Sequence, residues 1–182
     1  DLVIKFKLDK VKWIVPGGET GQLSIYNALE AAYHSEEVDE EAVVLVHDGV
    51  RPVIDEELIV KNIQTTQEKG NAITVCKAIE TVFSSHDKVN IDNVLDRETI
   101  YYAKAPQTFM LKELYNLHRK EIGRGNINNI DSCSMMYKEG IKLNFVVGKS
   151  SNIKITTYED YCMYKALYEL EKSVKTGEFI YE

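Results

Sequence analysis

An acid and a base follow directly on an apolar run in the segment 43–52. Residues 43–46 read Val-Val-Leu-Val, and the chain continues as His-Asp-Gly-Val-Arg-Pro. The unbroken run predicts a strand buried on both faces of a parallel sheet. Because ligands of open α/β sheets bind outside the carboxyl ends of the strands, Asp48 could hold a metal ion there and Arg51 a phosphate. The alternative is a structural pair in which Asp48 caps the next turn and Arg51 neutralises it.

A second polar pair stands in the segment 152–156, Asn-Ile-Lys-Ile-Thr, before an amphipathic stretch. Its two isoleucines alternate with Lys154 and Thr156, which predicts a short strand with an ammonium and a hydroxyl on one face. This pair could grip a phosphate. The alternative is an exposed lysine beside a threonine that merely suits a pleated surface. The functional interpretation requires Asp48 and Lys154 to meet in one anion-holding cleft.

Composition limits the class of protein. The chain has 182 residues, of which 44% are hydrophobic and 28% charged, and this size suits one globular domain. The formal net charge of -7 argues against nucleic acid as a partner but leaves room for a small anion held by a few cations. Three cysteines without CxxC spacing indicate neither a disulfide framework nor a zinc site, so we expect a cytoplasmic location. No apolar run is long enough to span a membrane.

Apolar periodicity alternates along the chain between strand and helix patterns, which implies a doubly wound, Rossmann-like α/β sheet. The predicted strands are 11–15, 43–46, 72–78, 143–147 and 152–156, and residues 101–109 return to the domain body with a break at 105–107. The predicted helices begin near residue 24, end at Gly70, cover 111–122 and 131–140, and begin again after Thr157. The buried face of the last helix is predicted to hold Cys162, Met163, Ala166, Leu167 and Leu170.

The segment from about 79 to 100 has no helical stripe and only scattered apolar residues. We interpret it as an excursion from the domain, a β-hairpin arm that could pair with a second subunit. The alternative is a plain surface loop.

A turn at Gly17-Gly18 precedes the first long helix pattern, with Ser24 in its opening turn. Glycines let backbone come close to a ligand, and free amide groups at a helix start favour an anion or a polar ligand atom. Ser24 is therefore a candidate ligand contact. A capping hydroxyl is the equally common alternative.

In order along the chain, these motifs resemble the cytidylyltransferase family that includes the methylerythritol-phosphate and ribitol-phosphate enzymes. The matching parts are Gly17-Gly18 with Ser24, residues 46–52, Glu80-Thr81, Arg97, Ala105-Pro106-Gln107-Thr108-Phe109, Asp131, and residues 152–156. The resemblance implies transfer of CMP from CTP to the phosphate of a sugar alcohol, with release of pyrophosphate.

The resemblance also implies roles for individual residues. Asp48 is similar to a magnesium ligand of the family and acts with Arg51 and Lys154 in catalysis. Gly17, Gly18 and Ser24 match positions that contact the nucleotide.

The acceptor phosphate is implied to contact Lys154 and Thr156. Thr81 and Arg97 would reach it across a homodimer through the arm.

Three positions depart from the family pattern. Relatives commonly carry Arg where this chain has Gly21, and Thr where it has Ala105 and Ile130. The residues 49–50 and 132–133 are more similar to the ribitol-phosphate branch, so we expect D-ribitol 5-phosphate as acceptor, with 2-C-methyl-D-erythritol 4-phosphate as the alternative.

The sequence begins at Asp1, and the family's Gly-rich phosphate loop has no counterpart in it. We expect a first βαβ unit of on the order of 30 residues to precede these residues in a longer protein. A chain that truly lacked it would not catalyse, since several charge stabilisers would be lost. A non-catalytic nucleotide-binding module is the competing hypothesis.

Overall fold

A four-stranded mixed sheet with helices against it organises residues 2–176, which are the residues that the computed structural model describes. In chain order the elements are α1 (Leu2–Phe6), α2 (Gly21–Tyr33), β1 (Val43–Val46), α3 (Glu56–Lys69), β2 (Asn71–Lys77), β3 (Val82–Ser84), β4 (Asn93–Leu95), β5 (Tyr101–Met110), α4 (Leu111–Gly123), α5 (Ser132–Lys138), β6 (Phe145–Val147) and α6 (Tyr158–Thr176).

Strand order in the sheet is β1-β5-β2-β6. Strand β6 runs parallel to β2, whereas β5 runs antiparallel to both β1 and β2. Strands β1, β2 and β6 therefore end at the same edge, where the segments 47–52 and 148–156 begin. The predicted α/β sheet is confirmed, and the reversed central strand is the feature that the apolar pattern did not reveal.

Helices pack on both faces of the sheet, but the outer strands are incompletely covered. On one face, α2, α4 and α5 pack around Phe109, Leu114 and Met136, all almost fully buried. On the other, Leu58 of α3 packs on Ala72 and Val146. The first five residues of β2 are buried in succession as a result.

The prediction that 43–46 is buried on both faces of a parallel sheet is wrong: within the described residues β1 is an outer strand that pairs antiparallel with β5, and its four residues are half-buried. In β6, Phe145 and Val147 are also exposed.

Helix boundaries follow local capping rules. The Asp55 side chain accepts a hydrogen bond from the Leu58 N–H to begin α3, and Gly70 ends it at a φ of 86°, a conformation that suits glycine. Asp131 caps α5 in the same way by accepting from the Ser134 N–H at 2.8 Å. The predicted end of α3 at Gly70 and the predicted start of α5 at Asp131 are confirmed, whereas α5 ends at Lys138, before the predicted Gly140.

Two predicted strands are wrong. Residues 11–15 form no ladder with any part of 2–176, and Trp13 and Ile14 are 44% and 71% exposed; apolar alternation cannot make a strand without a neighbour to hydrogen-bond. Residues 152–156 lie beside Val50, where the Ile155 N–H donates to the Val50 carbonyl at 2.9 Å, but they join no sheet. Their alternation of half-buried and exposed side chains is nevertheless as predicted.

The expected buried face of the last helix is wrong except at Leu167, which is half-buried. Cys162 and Ala166 are exposed, and Met163 and Leu170 are 57% and 45% exposed. The other half-buried residues in the described part of α6 are Asp160, Tyr164 and Ser173. The start after Thr157 is confirmed: the Asp160 carboxylate accepts from the Thr157 N–H at 2.8 Å, and the Asp160 N–H donates back to the threonine hydroxyl at 3.2 Å, a reciprocal cap.

The excursion at 79–100 contains a short antiparallel hairpin of β3 and β4, which pair with each other and not with the main sheet. Its surface is mostly exposed, with Phe83, Val89 and Val94 at 50%, 85% and 68% exposure. The hairpin prediction is confirmed. Its use in pairing with a second subunit stays a prediction.

A buried amide joins α3 to the sheet. Asn62 donates to the Leu58 carbonyl at 2.9 Å and to the Thr74 hydroxyl at 3.1 Å, and it accepts from the Thr108 hydroxyl at 3.3 Å. We expect Asn62→Ala to lower the free energy of unfolding by about 1 to 3 kcal/mol, because two buried hydroxyls lose their partner. Urea denaturation measures this. Asn93→Ala, in the exposed hairpin, is the control and should change stability by under about 0.5 kcal/mol.

Candidate active site

A cleft of about 370 Å³ lies at the sheet edge where β1 ends. Its walls come from the start of α2, from the middle of β5, from α4 and α5, and from the segment after β6. Val46 pairs with Gln107, so Lys104 and Ala105 of β5 lie beyond the end of β1. Because β5 runs antiparallel to its neighbours, its residues 104 and 105 lie at the sheet edge where β1, β2 and β6 end.

Asp48 and Lys154 meet in this cleft, as the sequence interpretation required. One oxygen of the Asp48 carboxylate lies 3.5 Å from the Lys154 Nζ, and the other accepts from the Arg51 Nε at 2.9 Å. The two partners of Asp48 differ in burial. The Arg51 side chain is only 11% exposed, whereas those of Asp48 and Lys154 are 35% and 47% exposed. Arg51 thus orients the carboxylate from behind, and Lys154 faces the open side.

Asn152 connects the elements around this group. The Asn152 carbonyl accepts from Arg51 at 3.0 Å and from the Lys104 ammonium at 3.0 Å. Its side-chain amide, itself buried, donates to the Ala105 carbonyl at 2.7 Å. The segment that carries Lys154 is therefore fixed to β5 as well as to the loop after β1. The sequence motif contained Asn152, but nothing in its type or spacing indicated this connecting position.

Lys104 is a cleft residue that the sequence interpretation missed. Its ammonium donates to the carbonyls of Ser150 and Asn152, both at 3.0 Å, and the side chain lines the cavity. The available signal was a single cation in a strand that is otherwise apolar or uncharged from residue 101 to 110. Such a charge is costly inside a sheet unless it reaches an edge or a partner.

The far end of the cleft is polar and well buried. Gln107 donates to the Asp131 carboxylate at 3.0 Å and accepts from the Cys133 N–H at 2.9 Å. Burial raises the pKa of Asp131, but hydrogen bonds from Ser134, Gln107 and Cys133 outweigh it and hold that pKa below its ordinary value. Asp131 is therefore a fixed anion at the start of α5.

His118 of α4 also lines the cleft. It is fully buried, and burial lowers its pKa from 6.5 to about 4 because a charged imidazolium is poorly solvated there. Its Nε2 lies 3.5 Å from the Ser132 hydroxyl. His118 is thus a neutral group at physiological pH.

The predicted nucleotide residues lie at the start of α2, next to the cleft. The Ser24 hydroxyl accepts from the Gly18 N–H at 2.9 Å and donates to the Thr20 carbonyl at 3.0 Å. A Cβ on Gly18 would lie 2.3 Å from the Leu23 Cβ, so only glycine fits there. Gly17, Gly18 and Ser24 are not among the residues that line the cavity. Their contact with a nucleotide stays a prediction.

Three other predicted residues lie outside the cavity. The Thr156 hydroxyl donates to Asp160 at 2.9 Å, beside the start of α6. Thr81 stands at the base of the hairpin, and Arg97 donates to the Ile79 carbonyl at 3.3 Å. Within one chain, therefore, Lys154 reaches the cleft whereas Thr156, Thr81 and Arg97 do not line it. Their contacts with an acceptor stay predictions.

Comparison with known proteins decides the family. A family model described as 2-C-methyl-D-erythritol 4-phosphate cytidylyltransferase (IspD) matches residues 2–169. The chain belongs to this family. The predicted resemblance is confirmed, and the chain is accordingly a member of a nucleotidyltransferase enzyme family.

Individual cytidylyltransferases extend this result. The ribitol-5-phosphate cytidylyltransferase of Streptococcus agalactiae serotype Ia is 46% identical over 173 residues, which are 95% of this chain and 72% of that protein. The enzyme of the same name from Vibrio parahaemolyticus is 41% identical over 96% of this chain and 72% of its own length. The crystal structure of 4-diphosphocytidyl-2C-methyl-D-erythritol synthase from Anaerococcus prevotii matches with a TM-score of 0.80 and 31% identity, covering 92% of this chain and 73% of that one.

The three departures from the cytidylyltransferase pattern gather in one place. Gly21, Ala105 and Ile130 all line the cleft that contains Asp48 and Lys154. Gly21 has no atom within 4 Å of a Cβ position, and Ile130 is 94% exposed. Two of the departures, Gly21 and Ile130, therefore lie on the open wall of the cleft, whereas Ala105 is buried at 6% exposure.

The buried His118 generates a test of stability against pH. The pKa of His118 is lower in the folded protein than in the unfolded chain. As pH falls from 6.5 towards 4, His118 is therefore protonated in the unfolded chain but stays neutral in the folded protein. We expect this component to cost about 3 kcal/mol of unfolding free energy at pH 4, relative to pH 7. His118→Gln should remove it, so that the denaturation curves of variant and wild type converge at low pH. A parallel offset at every pH for His118→Gln would contradict the account.

Proposed function

We propose that this protein is a cytidylyltransferase that transfers CMP from CTP to D-ribitol 5-phosphate, giving CDP-ribitol and pyrophosphate. The observation that supports it most strongly is the meeting of Asp48, Arg51 and Lys154 in one cleft. The alternative acceptor for the same reaction is 2-C-methyl-D-erythritol 4-phosphate. We place the activity in the cytoplasm, in one nucleotidyltransferase domain over residues 1–182 with an arm at about 79–100.

The reaction needs charge stabilisation more than covalent chemistry. An oxygen of the acceptor phosphate attacks the α-phosphorus of CTP, a new P–O bond forms, and the bond to the β-phosphate oxygen breaks to release pyrophosphate. Two phosphate groups repel each other as they approach. The Lys154 ammonium on the open side of Asp48 lowers that repulsion, and Arg51 keeps the carboxylate in a fixed orientation.

Mg²⁺ is the cofactor that we propose, with Asp48 as its protein ligand. In residues 2–176 no group of three or more His, Cys, Asp or Glu side chains could hold a metal ion. One carboxylate is nevertheless sufficient for magnesium, which takes phosphate oxygens and water as its remaining ligands. Among the described residues, the Asp48 oxygen on the Lys154 side is contacted by the Lys154 Nζ at 3.5 Å, a long contact that a bound cation would replace. When bound, the ion would neutralise charge on the phosphates.

For the nucleotide, we propose Gly17, Gly18 and Ser24 as contacts. Their support is the rigid turn at the start of α2, where the Gly18 N–H and the Ser24 hydroxyl bind each other. A preorganised turn loses little conformational entropy when a ligand binds.

For the acceptor, we propose Lys154 and Thr156 from one protomer, with Thr81 and Arg97 of the hairpin contributing across a homodimer. The exposed apolar surface of the arm supports pairing, since Phe83 and Val94 have little cover within the described chain. Neither nucleic acid nor a membrane is a proposed partner. Among residues 2–176, no helix combines the length and the apolar character needed to cross a bilayer.

Asp48→Asn tests the central role directly. The amide keeps the shape and an oxygen for the Arg51 hydrogen bond but removes the charge. We expect kcat for pyrophosphate release from CTP and ribitol 5-phosphate, measured on the full-length protein, to fall at least about 100-fold, while urea denaturation changes little. Asp39→Asn, whose exposed carboxylate accepts from the nearby Glu41 N–H, is the control and should retain activity. Retained activity in Asp48→Asn would contradict the mechanism.

Acceptor choice is tested through the altered wall of the cleft. Wild type should turn over ribitol 5-phosphate with a higher kcat/KM than methylerythritol phosphate. The triple variant Gly21→Arg, Ala105→Thr, Ile130→Thr introduces the residues that the family resemblance leads us to expect, and we expect it to change the ratio of the two kcat/KM values by about 10-fold or more.

If a folded triple variant kept the wild-type ratio of the two kcat/KM values, these three positions would not determine which acceptor is preferred. A wild-type preference for methylerythritol phosphate would reverse the proposed acceptor. Binding of CTP without release of pyrophosphate from any acceptor would favour the non-catalytic module.

A further inference from the structure

We propose that Lys104 is a further phosphate-binding residue of the cleft, acting beside Lys154. This inference rests on the proposed function and adds a residue to its site. The phosphate has two possible sources, the triphosphate of CTP and the phosphate monoester of the acceptor.

The first step is charge. Within the described residues, the network around Asp48 holds one carboxylate and three cations, because Arg51 bonds Asp48, Lys154 faces it, and Lys104 shares the Asn152 carbonyl with Arg51. Asp131 is a fixed anion at the far end of the cleft, so this excess of two positive charges belongs to the end around Asp48, in a chain whose net charge is -7. A dianionic phosphate monoester is the chemistry that balances it.

The second step is the donor count of the ammonium. A lysine ammonium has three N–H donors, and the Lys104 Nζ uses two of them on the carbonyls of Ser150 and Asn152. No carboxylate within 4 Å pairs with it among residues 2–176. One donor and a full positive charge are therefore left for a ligand in the cavity that the side chain lines.

The third step is position. Lys104 lies in β5 beyond the end of β1, on the central strand of the sheet. Its two carbonyl partners belong to the segment that continues to Lys154. A rigid strand and a braced loop thus place two ammonium groups at the same cleft, where together they could hold one phosphate from two directions.

A purely structural role must be separated from this proposal. A lysine that only braced the loop would also donate to Ser150 and Asn152. Glutamine separates the two, because its amide has two N–H donors for those carbonyls but carries no charge. Lys104→Arg keeps the charge, and Lys104→Met removes both donors and charge.

The experiment measures kcat and both KM values, for CTP and for ribitol 5-phosphate, in the full-length protein and its Lys104 variants. We expect Lys104→Gln and Lys104→Met to raise one of the two KM values by roughly 10- to 100-fold, as expected for the loss of one charge-assisted hydrogen bond, and Lys104→Arg to recover most of it. Which KM rises identifies the source of the phosphate. Lys112→Gln, in which an exposed lysine paired with Glu40 loses its charge, should change neither.

Calorimetric titration of the same variants with CTP and ribitol 5-phosphate gives a readout independent of turnover. Weaker binding in Lys104→Gln without turnover in any variant would uphold the Lys104 site while removing the proposed reaction. Normal turnover in wild type, with Lys104→Gln matching it in both KM values and both affinities, would overturn the Lys104 site and leave the reaction standing. Binding of neither phosphate compound to wild type would overturn both.

Discussion

The Asp48 carboxylate, held between Arg51 and Lys154, is the interaction on which the account of this molecule depends. Its two cationic partners come from segments about a hundred residues apart, so the fold must bring the ends of β1 and β6 to one sheet edge. Isolated ion pairs at a surface contribute little to stability. A carboxylate oriented by a buried guanidinium and left open on one side is better explained as a group prepared for a ligand.

Strand β5 supplies further residues at this sheet edge. Because it runs against its neighbours, it passes the end of β1 and delivers Lys104 to the cleft and the Ala105 carbonyl to Asn152. The same strand supplies Gln107, which fixes Asp131 and the start of α5 at the far wall. One central strand thus connects the cationic end of the cleft with its polar end, and the hairpin leaves the domain just before it.

Sequence patterns predict those helix ends and strands that depend on residues close together along the chain. Helix ends at Gly70 and Asp131 follow from local capping, and the strand before Asp48 follows from an uninterrupted apolar run. The functional interpretation required Asp48 and Lys154 to converge, and they do so because β1 and β6, the strands that precede them, end at the same sheet edge. The strand at residues 11–15 and the buried face of α6 were mispredicted because apolar periodicity does not show whether another strand or surface packs against the apolar residues. Lys104 was missed because its importance depends on the reversed direction of β5, which the sequence pattern does not encode.

The most direct test is a crystal structure of the full-length protein with CTP, ribitol 5-phosphate and Mn²⁺ as an anomalous substitute for Mg²⁺. The account predicts a manganese peak bound to the Asp48 carboxylate, with a phosphate oxygen within hydrogen-bonding distance of the Lys154 Nζ in the same cleft. Manganese and phosphate bound elsewhere, with Asp48 and Lys154 still facing only each other, would contradict it.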